Sequence, residues 1–161
     1  MRIFPFMICL FFVLTAEFAL TGRTGFYFGA RTECLLGFAC VIGLRSKREF
    51  SLFYFLIAAV LHSILMRPEL IGIVTFLYLA IGFILFVFHS QISSENAIVI
   101  AVFSGVSAFL IELILPFISI GNSMSLSALL WTCACTVCAT FFIAKLSNFF
   151  IKKRERNRLL L

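Results

Sequence analysis

The sequence predicts an all-α integral membrane protein, a bundle of about six transmembrane helices. Three observations predict it. Phe50–Met66, Leu70–Phe88 and Ser123–Ala144 contain no Asp, Glu, Lys or Arg, and an apolar run of roughly 17–25 residues is what a helix needs to cross a hydrocarbon core of about 30 Å. The 161-residue chain is 63% hydrophobic and 12% charged, against about 45–50% and about 25% for a soluble domain. Its cations gather at Arg45, Lys47 and Arg48 and again at Lys152, Lys153, Arg154, Arg156 and Arg158. Basic clusters beside apolar runs act as topology signals and contact anionic lipid headgroups. The length accommodates one membrane domain, residues 1–161, with no appended soluble domain.

The elements follow in order. The first span is Ile3–Leu20, with Pro5 near its start and Glu17 near its end, where Glu17 is expected to be solvated at the interface. Its opening resembles a secretory leader, but Ala16-Glu17-Phe18-Ala19 places Glu in the small-residue cleavage site, so an uncleaved span is expected. The second span, 26–44, has a short uncharged part, Cys34–Leu44: either it reaches spanning length by starting near Phe26 and including Arg31 and Glu33, or it is short and tilted against its neighbours. The third span, 50–66, ends at Arg67-Pro68-Glu69, because proline disfavours helix in the residue before it. The fourth span is 70–88. The fifth, 97–120, carries Glu112 and Pro116, and the sixth is 123–151.

Six spans place Arg2, Arg45, Lys47, Arg48 and the five C-terminal cations on one side, with Lys145 snorkelling toward them. Arg23, Arg31 and Arg67 fall on the other side. Cytoplasmic loops are enriched in Lys and Arg, so both termini are expected inside, in a bacterial inner membrane. An odd number of spans would put one basic cluster outside.

Composition also excludes function classes. All seven acids are Glu, which removes aspartate-dyad chemistry. The six cysteines lie in apolar runs, where Cys acts as a small hydrophobe. Cys133-x-Cys135-x-x-Cys138 has metal-like spacing, but on a helix Cys133 and Cys135 point about 200° apart, and no His lies near to complete a site. The basic tail beside a span reads as membrane surface, with no nucleic-acid partner expected. His62 and His89 are the only histidines, and no nucleophile–base motif or phosphate-cradling loop is present. No enzyme activity, catalytic residue, metal or cofactor is expected.

Two constellations stand out. Ala97, Ala101, Gly105, Ala108 and Glu112 share one helical face. Small residues at this spacing allow close helix approach, so the face is a candidate for helix packing or partner contact, and Gly105→Leu is expected to break a partner interface or the bundle. Glu112 is an acid inside a span, which is expensive and needs a partner. His62, on a face with Ser51 and Ala58, lies in the same outer half, and a His62–Glu112 polar pair is expected, either fixing helix register or serving a relay.

From Arg31 to Lys153 the order of features resembles the rod shape-determining membrane protein family, MreD. Arg31-Thr32-Glu33 stands where that family has an R-P-[DN]-like entry to a short second span, with the proline missing. Arg45-Ser46-Lys47-Arg48 matches its basic turn. Ala58 and His62 stand in place of the family's small Gly and its Asp; Gly72, Glu112 and the basic C-terminus fit the remaining places. The resemblance implies a non-enzymatic scaffold of the cell-shape (elongasome) machinery. Its partners would be the bilayer, the single-span protein MreC and, through it, MreB, RodA and a class B penicillin-binding transpeptidase. It also implies an architecture similar to the S components of energy-coupling-factor transporters, and a vitamin-binding S component is the alternative reading. Against that alternative, the first span lacks the A-x-x-x-A motif of S components, and the outer loops Arg67–Glu69 and Gly121–Asn122 are short.

Overall fold

The computed structural model describes residues 9–17, 19, 33–46, 48–92, 96–118 and 125–159. These residues form helices and short turns, with no strand among them. Helix α1 covers residues 9–17. The others are α2 (Cys34–Arg45), α3 (Arg48–Met66), α4 (Ile71–Phe88), α5 (Ala97–Ile118) and α6 (Leu126–Leu159), with a single 3₁₀ turn, Pro68–Leu70, between α3 and α4. Pro68–Phe88, Ala97–Phe117 and Leu126–Phe149 are long and apolar enough to cross a membrane.

The surface inverts the pattern of a soluble protein. On α6 the inward stripe at every fourth residue is Ala128, Thr132, Thr136, Thr140 and Ala144, all buried, while Leu130, Trp131, Phe142, Leu146 and Phe149 are exposed. Only 28% of the apolar stretch within the Pro68–Phe88 span is buried. In water such a surface would be an aggregation hazard; against lipid tails it carries no penalty, and inward small and hydroxyl residues then drive helix association by close packing and hydrogen bonding.

The apolar part of α3, Phe50–Leu65, is shorter than the three long spans, and helix α2 falls well short of spanning length. At 12 residues it is about 18 Å long, short of the hydrocarbon thickness. The expected start near Phe26 lies outside the described residues; the helix itself begins at Cys34. Every residue from Cys34 to Leu44 except Ile42 is buried, because α3, α4, α5 and α6 all pack around it. Gly37 makes this possible: a Cβ there would stand 2.1 Å from Thr140 Oγ1. At the far end, Arg45 Nη2 donates to the carbonyl of Ala144 (3.1 Å) and to Asn148 Oδ1 (2.6 Å), tying α2 to α6.

The helix ends follow local chemistry. Asn96 Oδ1 accepts from Ile98 N–H (3.1 Å) and Ser125 Oγ from Ala128 N–H (3.2 Å), capping α5 and α6. The C-terminal basic residues, expected as a tail beyond 151, continue α6 as helix to Leu159. The side chains of Lys152, Lys153, Arg154, Arg156 and Arg158 lie outside the description, as do Lys47 and the side chain of Arg48.

The small face of α5 lies inside the bundle. Ala97, Ala101, Gly105 and Ala108 are buried, and α5 packs extensively on α6. A Cβ at Gly105 would meet Val137 Cγ2 at 2.2 Å. The face therefore serves internal helix packing, and Gly105→Leu would disrupt the bundle. Gly105→Ala is expected to destabilise by about 1–3 kcal/mol through overpacking. Val137→Ala should recover part of that loss, giving a coupled double-mutant cycle in thermal unfolding of detergent-solubilised protein.

Candidate functional site

Helix direction alternates along the chain, so the ends of α1, α3 and α5 and the starts of α2, α4 and α6 gather at one end of the bundle, opposite Arg45. At that end the structure collects Glu17, Glu33, His62, Arg67, Tyr78 and Glu112, each 5% exposed or less.

The site is built around the N-terminus of α2. The first amide groups of any helix lack intrahelical acceptors, and here they lie inside the protein. Glu33 occupies the cap position, but its side chain does not cap the helix. Acceptors arrive instead from other helices. Leu35 N–H donates to Glu17 Oε2 on α1 (2.6 Å), and Glu33 N–H donates to Thr136 Oγ1 on α6 (3.2 Å). The positive end of the α2 dipole favours the two carboxylates placed there.

His62 on α3 stands between those carboxylates. Its Nδ1 is hydrogen-bonded to Glu17 Oε1 at 2.6 Å, and its Nε2 lies 3.5 Å from Glu33 Oε1. Tyr78 of α4 donates its hydroxyl to Glu33 Oε2, and its ring stacks on the imidazole, with centroids 5.5 Å apart and planes inclined by 28°. The result is a chain of contacts, Glu17–His62–Glu33–Tyr78, crossing α1, α3, α2 and α4.

Arg67 closes the site. It leaves the end of α3 through an N–H bond to the Ser63 carbonyl (3.0 Å), and Nη2 donates to Glu112 Oε1 of α5. Burial pushes the guanidinium down, but Glu112 beside it, with Glu33 and Tyr78 nearby, holds it above its ordinary value, so it stays cationic. Pro116, one turn after Glu112, has no N–H to offer the Glu112 carbonyl.

Two sequence expectations change here. His62 and Glu112 both belong to the site, but they do not form the expected pair: His62 engages Glu17 and Glu33, and Glu112 engages Arg67. Glu17, expected at a solvated interface, is fully buried. Tyr78, to which the sequence assigned no role, is a donor in the network. The missed signal was positional: Glu17, Glu33 and Arg67 flank segment ends that six alternating spans bring to one end. Among the described residues, no group of three His, Cys or Glu side chains is placed to hold a metal ion. Ser104 Oγ donates to Thr140 Oγ1 (2.8 Å) deeper in the bundle, extending polar contact along α6.

The class defined by this fold and site is a protein helical throughout its described residues, with spans of membrane-crossing length and a buried ionisable network at one end of the bundle. Searched against protein-family profiles, curated proteins and solved structures, the chain matches none.

Removing one partner of a buried ion pair leaves an uncompensated charge, whereas replacing both with apolar residues is often neutral. Arg67→Met is therefore expected to destabilise by about 3–5 kcal/mol, and Arg67→Met with Glu112→Leu to recover most of that loss. In the same unfolding measurements, His62→Ala and Glu17→Ala should be strongly coupled, and His62→Ala and Glu112→Leu nearly additive.

Proposed function

We propose that this chain is a non-enzymatic membrane scaffold subunit of the bacterial cell-shape machinery. In this reading it sits in the inner membrane with both termini cytoplasmic, binds an MreC-like single-span protein, and links it to peptidoglycan synthesis by RodA and a class B transpeptidase. The observation that supports a scaffold is the way the buried polar groups engage one another. Glu17, Glu33, His62, Tyr78, Arg67 and Glu112 join five helices through mutual contacts. Such an arrangement fixes helix register and presents a defined outer surface.

The order of features supports the particular machinery. The short second helix, the basic turn after it, the acid in the fifth helix and the basic C-terminus follow the pattern that resembles MreD. Arg45, anchored to α6 at the basic end, would fix the cytoplasmic side of the scaffold where partners and anionic headgroups meet it.

Co-purification of the tagged chain from its native membranes in mild detergent, with bound proteins identified by mass spectrometry, tests the reading. An MreC-like single-span protein with RodA or the transpeptidase is the expected result. An ATPase pair with a transmembrane coupling subunit would replace the scaffold reading with the transport one.

A further inference from the structure

The contact between His62 and Glu33 carries a consequence that does not depend on the scaffold reading. Two gaps flank the imidazole: Nδ1 to Glu17 Oε1 at 2.6 Å and Nε2 to Glu33 Oε1 at 3.5 Å. Each gap brings a ring nitrogen to a carboxylate oxygen, and each needs one proton between the two lone pairs. A neutral imidazole carries one N–H and fills one gap. In the other, nitrogen and oxygen would face each other as two acceptors. The 2.6 Å gap is the shorter and takes the ring's own proton. Glu33 Oε1 is buried and has no hydrogen-bond donor among the described residues, so it is the group that awaits the second.

The geometry points to an exchangeable proton bound between His62 Nε2 and Glu33 Oε1, making this pair an intramembrane proton-binding site. Loading breaks an O–H bond of a hydronium ion and forms N–H on Nε2, leaving water; release reverses both. Among the described residues, the exposed Pro68–Glu69 turn lies at this end of the bundle, with His62 five residues before Arg67, about 7.5 Å along the helix axis.

The charge balance agrees. Among the described residues, the groups facing the pair are Glu17 of α1, Cys34 of α2, Arg67 of the α3–α4 turn, Tyr78 of α4, Glu112 of α5 through Arg67, and Cys135 of α6 beside Cys34. Among the described residues, three carboxylates stand against one guanidinium, and uncompensated charge is expensive within a bilayer. One bound proton reduces that excess. It also completes a continuous hydrogen-bonded chain from Glu17 through His62 and Glu33 to Tyr78, so loading tightens α1, α2, α3 and α4 around the site. Release leaves two acceptors facing each other and loosens the same four helices.

The test uses the two histidines. His89→Gln leaves His62 as the single imidazole, and ¹⁵N NMR of the histidine-labelled chain in lipid bilayers reads the protonation state of each ring nitrogen against pH. A reversible step confined to Nε2, with Nδ1 staying protonated, is expected. Glu33→Gln in the same background should displace that step by about one pH unit or more. Tyr78→Phe, which retains the ring stack and removes the donor to Glu33, should displace it as well and carries the test if Glu33→Gln does not fold. A ring whose state is constant from mildly acidic to mildly alkaline pH overturns the proposal. So does a step that stands at the same pH in every folded variant.

Discussion

Helix α2 is too short to cross a bilayer, so its N-terminus ends inside the protein, and the rest of the structure depends on satisfying it. An amide N–H without an acceptor in a low-dielectric interior forfeits a hydrogen bond that water would otherwise supply. Glu33 stands at the cap yet turns its carboxylate away from the helix. The acceptors come from Glu17 and Thr136, residues remote in sequence. A carboxylate brought in for this purpose must itself be compensated. His62 does so for Glu17, and the imidazole draws in Glu33 and Tyr78. The ionisable network follows from terminating one helix within the bundle.

The same short helix explains the packing. Because α2 is wrapped by α3, α4, α5 and α6, its surface must suit all of them, and a side chain at Gly37 would collide with Thr140. Its other end is held by Arg45, which reaches the Ala144 carbonyl and Asn148. Helix α2 is thus fixed by polar contacts at both ends and by apolar close packing between them. Around it, α5 and α6 meet through Gly105 and Val137, and the outward faces are left to large apolar residues such as Phe76, Phe117 and Phe142. Scaffold and proton-site readings draw on one property: a bundle whose interior polar groups meet across helix boundaries.

Much of the fold was legible because hydrocarbon is an unforgiving solvent. Uncharged runs such as Leu70–Phe88 can be little else than spanning helices, and Pro68 marked the break between α3 and α4. The four-residue spacing of Ala97, Ala101 and Gly105 showed a close-packed face, though not which helix it meets. The site was legible only in part. Glu112 and His62 declared themselves by lying inside apolar runs. Glu17 did not: at the end of a span, an exposed and a buried carboxylate have the same sequence signature. Glu112 does not pair with His62 because Arg67, which leaves the α3–α4 turn, donates to its carboxylate instead, a contact that helical faces alone do not reveal.

The sequence by itself determined the class: all-helical, with spans of membrane-crossing length and basic clusters at one end. Hydropathy is local, and each run announces its solvent without reference to its neighbours. Only the tertiary structure decided which charges are buried and with whom they pair. Those choices depend on where α2 stops, and on which residues of α1, α3, α4, α5 and α6 arrive at that depth. These are properties of the assembled bundle that no single run of sequence contains.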